Sequence, residues 1–295
     1  MEREIFPKSI DVNPTSKCQL QCPFCWGPNH EIPDGLSTQD WLNTIQFFAE
    51  RGTDAIVFTG GEPLLRKDIV ELLGFSKQMG MRVTLSTNTI LLPSLAEKVL
   101  PMVDEVGIPM DGSTEQNNLL MREGKINSFQ YQIDALLKVK KSYPDINVTV
   151  RTAMSKVNID DLTQIGELLT QFIGFFDRWK IYQFSPFSYG DVNKERYAIS
   201  YQDYMAMCNN LMAKYPQHHV SSQSSSLGHG RYVFVGSQGD IYGVGDSENY
   251  LAIGNLLSTD PSNIEAGLKK VFEAEKNSRH AHAISNYTQN IASSV

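Results

Sequence analysis

The sequence predicts an α/β fold in which six parallel strands, with helices outside them, form a partial (β/α)6 barrel. Short apolar runs are typical of buried parallel strands, and helix-like stretches with apolar residues at three- and four-residue steps lie between them. Six such units over residues 1–185 leave one side of the barrel open. We expect residues 186–295 to form a small C-terminal α+β extension that closes the barrel, with a flexible chain end.

The predicted elements alternate regularly along the chain. The strands are 9–13, 56–58, 83–86, 106–110, 147–153 and 179–184, and the helices between them are 41–51, 68–80, 95–103, 129–143 and 160–172. Polar or turn-forming residues follow each of the first four strands, beginning with Asn13-Pro14-Thr15. Because active sites of parallel barrels form on the loops after the carboxyl ends of strands, these segments are where we expect the site.

Composition limits the class of protein. The 295 residues are 41% hydrophobic and 20% charged, as in ordinary globular proteins, and the net charge of −7 gives no reason to expect a nucleic-acid partner. No run of 18 apolar residues and no apolar N-terminal segment suggests a membrane span or a signal peptide. Four cysteines with a tight cluster do not resemble a disulfide framework, so we predict a cytoplasmic protein.

Three of the four cysteines, Cys18, Cys22 and Cys25, lie in the loop after the first strand. Disulfides would leave one thiol over. Structural zinc needs four ligands, and the distant Cys208 has no paired neighbour. Three thiolates on a four-iron cluster would leave one iron open to a substrate or cofactor. The spacing therefore favours an iron–sulfur cluster.

The pattern Cys18-x3-Cys22-x2-Cys25, with Phe24 just before the third cysteine, resembles the signature of radical S-adenosylmethionine (SAM) enzymes. The resemblance implies that the three thiolates hold one [4Fe–4S] cluster whose open iron binds SAM, with Phe24 beside the cofactor. It also implies that one electron, from a flavodoxin or ferredoxin-type donor, cleaves SAM to a 5′-deoxyadenosyl radical that takes hydrogen from the substrate.

The second strand runs into Gly60-Gly61-Glu62-Pro63, which resembles the GGEP motif of the same family. The glycines allow a sharp turn and a close approach to a ligand. The resemblance implies that this segment binds the ammonium group of SAM. The alternative is an ordinary turn with a solvated Glu62.

Two further strand exits resemble family segments with one departure each. Ser86 and Asn88 follow the third strand and are expected to bind SAM, although Thr89 stands where the family usually has glycine. The fourth strand ends at Asp111, a candidate catalytic or substrate-contacting residue or else a turn former, and Pro109 replaces a serine that many relatives have there.

The fifth and sixth strands contribute the remaining cofactor candidates. Arg151 lies within an apolar strand, where an unpaired charge is costly, so it should meet a carboxylate such as that of SAM. The alternative places Arg151 on an exposed strand face. Val157 and Asn158 match the region that flanks the adenine in relatives, and Gln183 in the sixth strand completes the predicted cofactor set.

The C-terminal part resembles the SPASM and twitch extensions of the family, and also viperin-like enzymes, which act on a nucleoside triphosphate with a single cluster. Ser200 and Asp203 form a predicted capping box, and residues 231–244 a predicted hairpin. No cysteine follows Cys208, so we expect no cysteine-ligated second cluster. His229 and Arg231 are candidate contacts to a substrate, unless they belong to a flexible serine-rich loop.

Three functions remain open at this point. The first is a radical SAM enzyme that acts on a polar small molecule such as a nucleotide or sugar. The second is a radical SAM enzyme that epimerises or crosslinks a peptide. The third is a metal-binding protein without catalytic activity. In the first two, Cys208 could donate hydrogen to a substrate radical, although a cysteine in a helix-like stretch is usually a core residue.

Overall fold

The computed structural model describes residues 6–27, 31–124, 126–225, 233–244 and 250–271. Its strands are β1 (Ser9–Val12), β2 (Ala55–Phe58), β3 (Arg82–Ser86), β4 (Glu105–Pro109), β5 (Asn147–Met154), β6 (Arg178–Gln183), β7 (Ser221–Gln223), β8 (Val233–Val235), β9 (Asp240–Val244) and β10 (Tyr250–Asn255). They form one sheet in the order β10-β9-β8-β1-β2-β3-β4-β5-β6-β7. Strands β1 to β6 are parallel neighbours in chain order, which confirms the predicted α/β fold.

Helices lie between the parallel strands β1 to β7, and one further helix follows β10. They are α1 (Thr38–Glu50), α2 (Ile69–Gln78), α3 (Leu92–Val99), α4 (Glu115–Met121), α5 (Phe129–Ser142), α6 (Leu162–Thr170), α7 (Tyr189–Val192), α8 (Lys194–Tyr197), α9 (Tyr201–Lys214) and α10 (261–271). As predicted, Ser200 caps α9: its hydroxyl accepts a hydrogen bond from the Asp203 backbone N–H at 3.0 Å. None of the helices in these ranges is long and apolar enough to cross a bilayer.

The predicted bounds of β1 to β6 agree with the structure to within one residue at each end. The helices agree less closely with the prediction, and the helix expected over 41–51 begins at Thr38. The helix expected over 95–103 begins at Leu92, and a 3₁₀ turn that contains Pro101 takes the place of its last turn. The sequence analysis did not separate α4 from the loop after β4. Thr114 is the N-cap of this short helix, and its hydroxyl accepts a hydrogen bond from the Asn117 N–H at 3.1 Å.

The two faces of the sheet differ in polarity because successive side chains alternate. The outer face is apolar and packs against the helices; its fully buried residues include Ile10, Val12, Ile56, Phe58, Val83, Leu85, Val106, Ile108, Val148, Val150, Trp179 and Ile181. The inner face has many polar residues, among them Asp11, Thr84, Ser86, Glu105, Thr149, Arg151, Lys180 and Tyr182. A barrel interior of this kind suits a polar ligand.

The C-terminal part extends the sheet at both edges. Strand β7 pairs in parallel with β6, and β8 pairs in parallel with β1. Strands β9 and β10 continue from β8 as antiparallel neighbours, so the predicted hairpin is present. The sheet is therefore continuous across the boundary at residue 185 that the sequence suggests.

One buried histidine gives the fold a pH-dependent element. His218 is 0% exposed, stacks on Tyr215 with ring centroids 4.8 Å apart, and lies near Phe176 and Trp179. Burial lowers the pKa of His218 from its ordinary 6.5. In this pocket the buried Nδ1 has no hydrogen-bond partner among the described residues.

We expect His218 to destabilise the fold in acid. Below pH 6.5 the unfolded chain binds a proton at this residue and the folded protein does not, so its contribution to stability falls as the pH drops through the window beneath 6.5. Urea unfolding from pH 5 to 8 should show a steeper acid loss for the wild type than for His218→Phe. Equal slopes for the two proteins would contradict this role of His218.

Candidate active site

The three clustered cysteines lie in the loop that follows β1, at the carboxyl end of the parallel strands. Cys22 is buried, and Cys18 and Cys25 are partly exposed. Two of the thiols accept backbone hydrogen bonds: Leu20 N–H donates to Cys18 Sγ at 3.4 Å, and Gly27 N–H donates to Cys25 Sγ at 3.2 Å. Such N–H···S contacts stabilise negative charge on sulfur, which is the form that binds metal.

The thiols are close enough to affect one another. Burial raises the pKa of Cys22 to about 12, the Arg122 guanidinium opposes this rise, and Cys25 and Cys18 add to it. Burial also raises the pKa values of Cys18 and Cys25. Metal binding must therefore displace the three protons.

The donor set fits a cluster with one open iron. Among the described residues, no group of three or more His, Cys, Asp or Glu side chains is placed to hold a single metal ion. A four-iron cluster makes a different demand, because each thiolate binds its own iron. Three soft donors on one loop, two of them with N–H···S bonds, match that demand.

Gly60 and Gly61 hold the cysteine loop in place. Gly61 N–H donates to the Thr15 carbonyl at 3.0 Å, and a Cβ on Gly61 would lie 2.2 Å from the Lys17 carbonyl oxygen. Gly60 has a φ of +107°, and a Cβ there would lie 2.9 Å from the Thr15 oxygen. From the sequence, we expected these glycines to allow a ligand to approach the backbone closely. In the structure, the glycines approach the backbone of the cysteine loop itself.

Glu62 links the exits of β2 and β3. Its side chain is 0% exposed, and its carboxylate accepts hydrogen bonds from Leu64 N–H at 3.1 Å, Thr87 Oγ1 at 2.8 Å and Asn88 N–H at 2.7 Å. Burial raises the pKa of Glu62 to about 7, against the effect of these donors. The carboxylate is thus already engaged by the protein, and its predicted contact with SAM remains a prediction.

The exit of β3 reaches the cysteines directly. Asn88 Nδ2 donates to Cys18 Sγ at 3.6 Å and to Gln19 Oε1 at 3.0 Å. Thr89, where the family usually has glycine, has a φ of +73°, a backbone conformation that is unfavourable for a β-branched residue. Its N–H donates to Thr87 Oγ1 at 3.0 Å. The predicted Asn88 therefore lies beside the cluster site.

Asp111, the candidate catalytic or substrate-contacting residue, is engaged by groups of the protein itself, and its predicted role remains a prediction. It is 0% exposed, accepts a hydrogen bond from Ala153 N–H at 2.8 Å, and forms an ion pair with Arg122 at 2.6 Å. The Arg122 guanidinium lies 5.7 Å from the centre of the ring of Phe24, which stands between the second and third cysteines in the sequence. The sequence analysis missed Arg122, although the segment that contains it was recognised as family-like.

Arg151 lies on the inner face of β5, where its described contacts are with the protein itself, and its predicted contact with the SAM carboxylate remains a prediction. Its Nη1 donates to Ser86 Oγ at 3.0 Å, and its Nη2 is 3.7 Å from Glu105 Oε1. Its guanidinium occupies the space over Gly107, where a Cβ would lie 2.4 Å from it. The buried Nε has no hydrogen-bond partner among the described residues.

The remaining predicted cofactor residues fall into two groups. Phe24 and Val157 pack around Tyr197 in a small apolar cluster at the site. Asn158 and Gln183 bind the protein's own backbone: Asn158 Nδ2 donates to the Asp111 carbonyl at 3.1 Å, and Gln183 Nε2 donates to the Ile199 carbonyl at 3.2 Å. The structure gives these two amides local structural partners.

Pro63 follows Glu62 at the first position of a 3₁₀ turn and is buried. Its neighbour Glu62 connects this turn to the cysteine loop, because the Glu62 N–H donates to the Lys17 carbonyl at 2.7 Å. The GGEP segment thus fixes the start of the loop at several points.

The proposed role of Cys208 as a hydrogen donor is not supported by its position. Cys208 is 0% exposed in α9, within the main apolar core, and α9 packs against α6. This position agrees with the alternative interpretation of the sequence, in which Cys208 is a core residue. The predicted substrate residues His229 and Arg231 lie outside the described residues.

A segment at the start of the C-terminal part covers the cysteine loop. Gly190 N–H donates to the Cys25 carbonyl at 3.2 Å, and Asn193 Nδ2 donates to the Pro23 carbonyl at 3.0 Å. The Phe187 ring is 5.4 Å from the Trp26 ring. We call residues 187–197 the covering segment. No sequence motif marks these long-range contacts.

Comparisons with known proteins agree with this geometry. A family model described as the radical SAM superfamily matches residues 12–169. Fe-coproporphyrin III synthase of Methanosarcina barkeri is 32% identical over 165 residues, which are 54% of this chain and 40% of that protein. The chain thus spans less than half the length of that relative.

Two other similarities extend over most of the chain. The S-adenosylmethionine-dependent nucleotide dehydratase of Selenomonas ruminantium is 25% identical over 266 residues, 85% of this chain and 91% of that protein. The solved structure of anSMEcpe with bound AdoMet has a TM-score of 0.70 at 19% identity over 90% of this chain and 82% of that chain, which shows a shared fold. Because the family model covers more than half of the chain, this protein belongs to the radical SAM superfamily, and it is an enzyme that uses a [4Fe–4S] cluster and S-adenosylmethionine.

Proposed function

We propose that this enzyme takes a hydrogen atom from a polar, anionic small molecule of the nucleotide or sugar class, bound inside the barrel. The observation behind the proposal is the convergence of Arg151, Lys180 and Asp11 on the inner face. Arg151 and Lys180 are register neighbours on β5 and β6. Burial raises the pKa of Asp11, on β1, to about 6, and the charges of Arg151 and Lys180 act against this rise.

The inner face has more positive than negative charge available to a ligand. Lys180 has no ion-pair partner among the described residues, and its Nζ lies 4.8 Å from the centre of the Tyr182 ring. Glu105 is already shared, with Arg82 Nη2 at 3.0 Å and Arg178 Nη2 at 2.9 Å. Lys180 and the exposed part of the Arg151 guanidinium, whose side chain is 21% exposed, therefore offer donors to an anionic group such as phosphate or carboxylate.

Each part of the site has a defined task in this proposal. Cys18, Cys22 and Cys25 hold the cluster, and Asn88 and two backbone N–H groups support the thiolates. When bound, the cluster and SAM supply the 5′-deoxyadenosyl radical. The inner face binds and orients the substrate, and the covering segment excludes water from the cysteine loop.

The nucleotide dehydratase of Selenomonas ruminantium supports this substrate class, since the similarity covers most of both chains. Peptide modification, the second hypothesis from the sequence, has no comparable support. The peptide-bound SuiB structure from Streptococcus suis is 15% identical and shows the fold alone.

A deuterium-transfer experiment tests the proposal. The reconstituted enzyme, with SAM and a chemical reductant, is given deuterated nucleotides and nucleotide sugars, and 5′-deoxyadenosine is analysed by mass spectrometry. We expect deuterium from at least one of them. Lys180→Gln should raise the KM for that substrate about tenfold to hundredfold, because a charge-assisted hydrogen bond contributes roughly 1.5–3 kcal/mol.

The controls separate substrate binding from cofactor binding. Lys180→Gln should leave the Kd for SAM unchanged, and Lys214→Gln, on the outer helix α9, should leave both constants unchanged. Arg151→Gln distinguishes the predicted SAM contact, which would raise the SAM Kd, from the substrate contact proposed here, which would raise KM. Deuterium transfer from peptides only, or an unchanged KM in Lys180→Gln, would show that the proposal is wrong.

A further inference from the structure

Arg122 is the cation that the structure places beside the cluster site. Its guanidinium lies over the Phe24 ring at 5.7 Å, and its Nε donates to Asp111 Oδ2 at 2.6 Å. Asp111 is 0% exposed and is itself fixed by the Ala153 N–H at 2.8 Å. Apart from Asp111, the guanidinium has no hydrogen-bond partner among the described residues.

The loop that contains Arg122 is docked on the cysteine loop. The Gln21 N–H donates to the Glu123 carbonyl at 3.4 Å. Arg122 is the member of the ion pair that contacts the cysteine loop, through the Phe24 ring next to Cys25, whereas Asp111 is bonded to Ala153 on β5. The positive end of the ion pair therefore lies on the side of the cysteine loop, and Asp111 lies behind it.

We propose that Arg122, held in place by Asp111, is a positioning residue that raises the reduction potential of the cluster. One-electron reduction by a low-potential donor adds one negative charge to the cluster, and a buried cation beside two of its thiolates stabilises the added charge. A cation that is only 15% exposed is weakly screened by salt, so its effect is larger than that of a surface charge. This inference rests on the proposed assignment of Cys18, Cys22 and Cys25 as ligands.

A spectroscopic redox titration of the holoenzyme without SAM tests the inference. The absence of SAM excludes a shift caused by contact between Arg122 and the cofactor. Arg122→Gln should lower the ratio of reduced to oxidised cluster at least tenfold at a fixed potential, which corresponds to about 59 mV for one electron. Arg122→Lys keeps the charge and should stay within threefold of the wild type.

Two further variants protect the test against misfolding. Arg122→Gln leaves the buried Asp111 unpaired, which can destabilise the fold, so the double variant Arg122→Gln/Asp111→Asn is titrated as well. The reduction potential of the double variant should also fall, but by less than that of the single variant. The reason is that the positive charge of Arg122, which is nearer to the thiols, is lost together with the more distant negative charge of Asp111. Arg51→Gln is the matched control, since Arg51 pairs with Glu265 at 3.0 Å and follows α1, outside the cysteine loop and the covering segment; the potential of this variant should not change.

The outcomes are distinct. A wild-type potential in both Arg122→Gln and the double variant, each with full iron content, overturns the inference. Equal shifts in Arg122→Gln and Arg51→Gln overturn it too, because the effect would then be one of net charge. Retention of the cluster by Cys22→Ala would instead show that the ligand assignment is wrong.

Discussion

Replacing any one of Cys18, Cys22 and Cys25 by Ala is expected to abolish binding of the [4Fe–4S] cluster and with it all cleavage of SAM. In the proposed assignment each thiolate binds a different iron, and the one other cysteine of the sequence, Cys208, lies outside this loop. Anaerobic reconstitution of the wild type should give about four irons and four sulfides per chain. The variants should give almost none and no 5′-deoxyadenosine.

The fourth cysteine provides the control for this experiment. Cys208 is buried in the core away from the cysteine loop, so Cys208→Ala should keep the iron content and the cleavage of SAM. Its free energy of unfolding should fall by only about 1 kcal/mol, as for a small truncation of a core side chain. A single-cysteine variant of the loop that retains four irons, or about eight irons in the wild type, would refute the one-cluster assignment.

Gly61→Ala is expected to displace the cysteine loop. The added methyl group would lie 2.2 Å from the Lys17 carbonyl oxygen and 2.6 Å from the Ser16 carbonyl oxygen. Both oxygens belong to the backbone, so the clash cannot be relieved by the movement of a flexible side chain. Overpacking of this kind costs about 3 kcal/mol. Urea unfolding measures the loss of stability, and iron analysis after reconstitution should show a low cluster content.

Gly236→Ala is the matched control. Its methyl group would meet Asp240 O at 3.6 Å, an ordinary contact, so its stability should change by no more than about 0.5 kcal/mol and its iron content should stay that of the wild type. If Gly61→Ala behaves like Gly236→Ala, the glycine pair does not fix the loop.

The sequence predicted the elements whose signal is local. The apolar runs of β1 to β6 and the cysteine spacing each lie within a few residues, and the six strands agree with the structure for that reason. The role of Gly60 and Gly61 was only partly predictable. A glycine pair indicates a close approach, but the sequence does not say whether a ligand or the chain itself approaches.

Contacts between distant segments could not be predicted. Arg122 meets Asp111 because α4 turns the chain back over the strand exit, and that helix was not expected. Asn193 and Gly190 reach the cysteine loop from more than 160 residues away, with no motif to mark them. The same applies to β8, which pairs with β1 at the other end of the sequence.

The arrangement of β7 and β8 determines how the protein can unfold and whether a fragment of it can be stable. Both edges of the six-strand array, β6 and β1, are covered by strands from the C-terminal part. A fragment cut after residue 185 would expose two unpaired strand edges at once, and exposed edges promote aggregation. Limited proteolysis should therefore yield no stable N-terminal core, and calorimetry should record a single unfolding transition in which barrel and extension melt together.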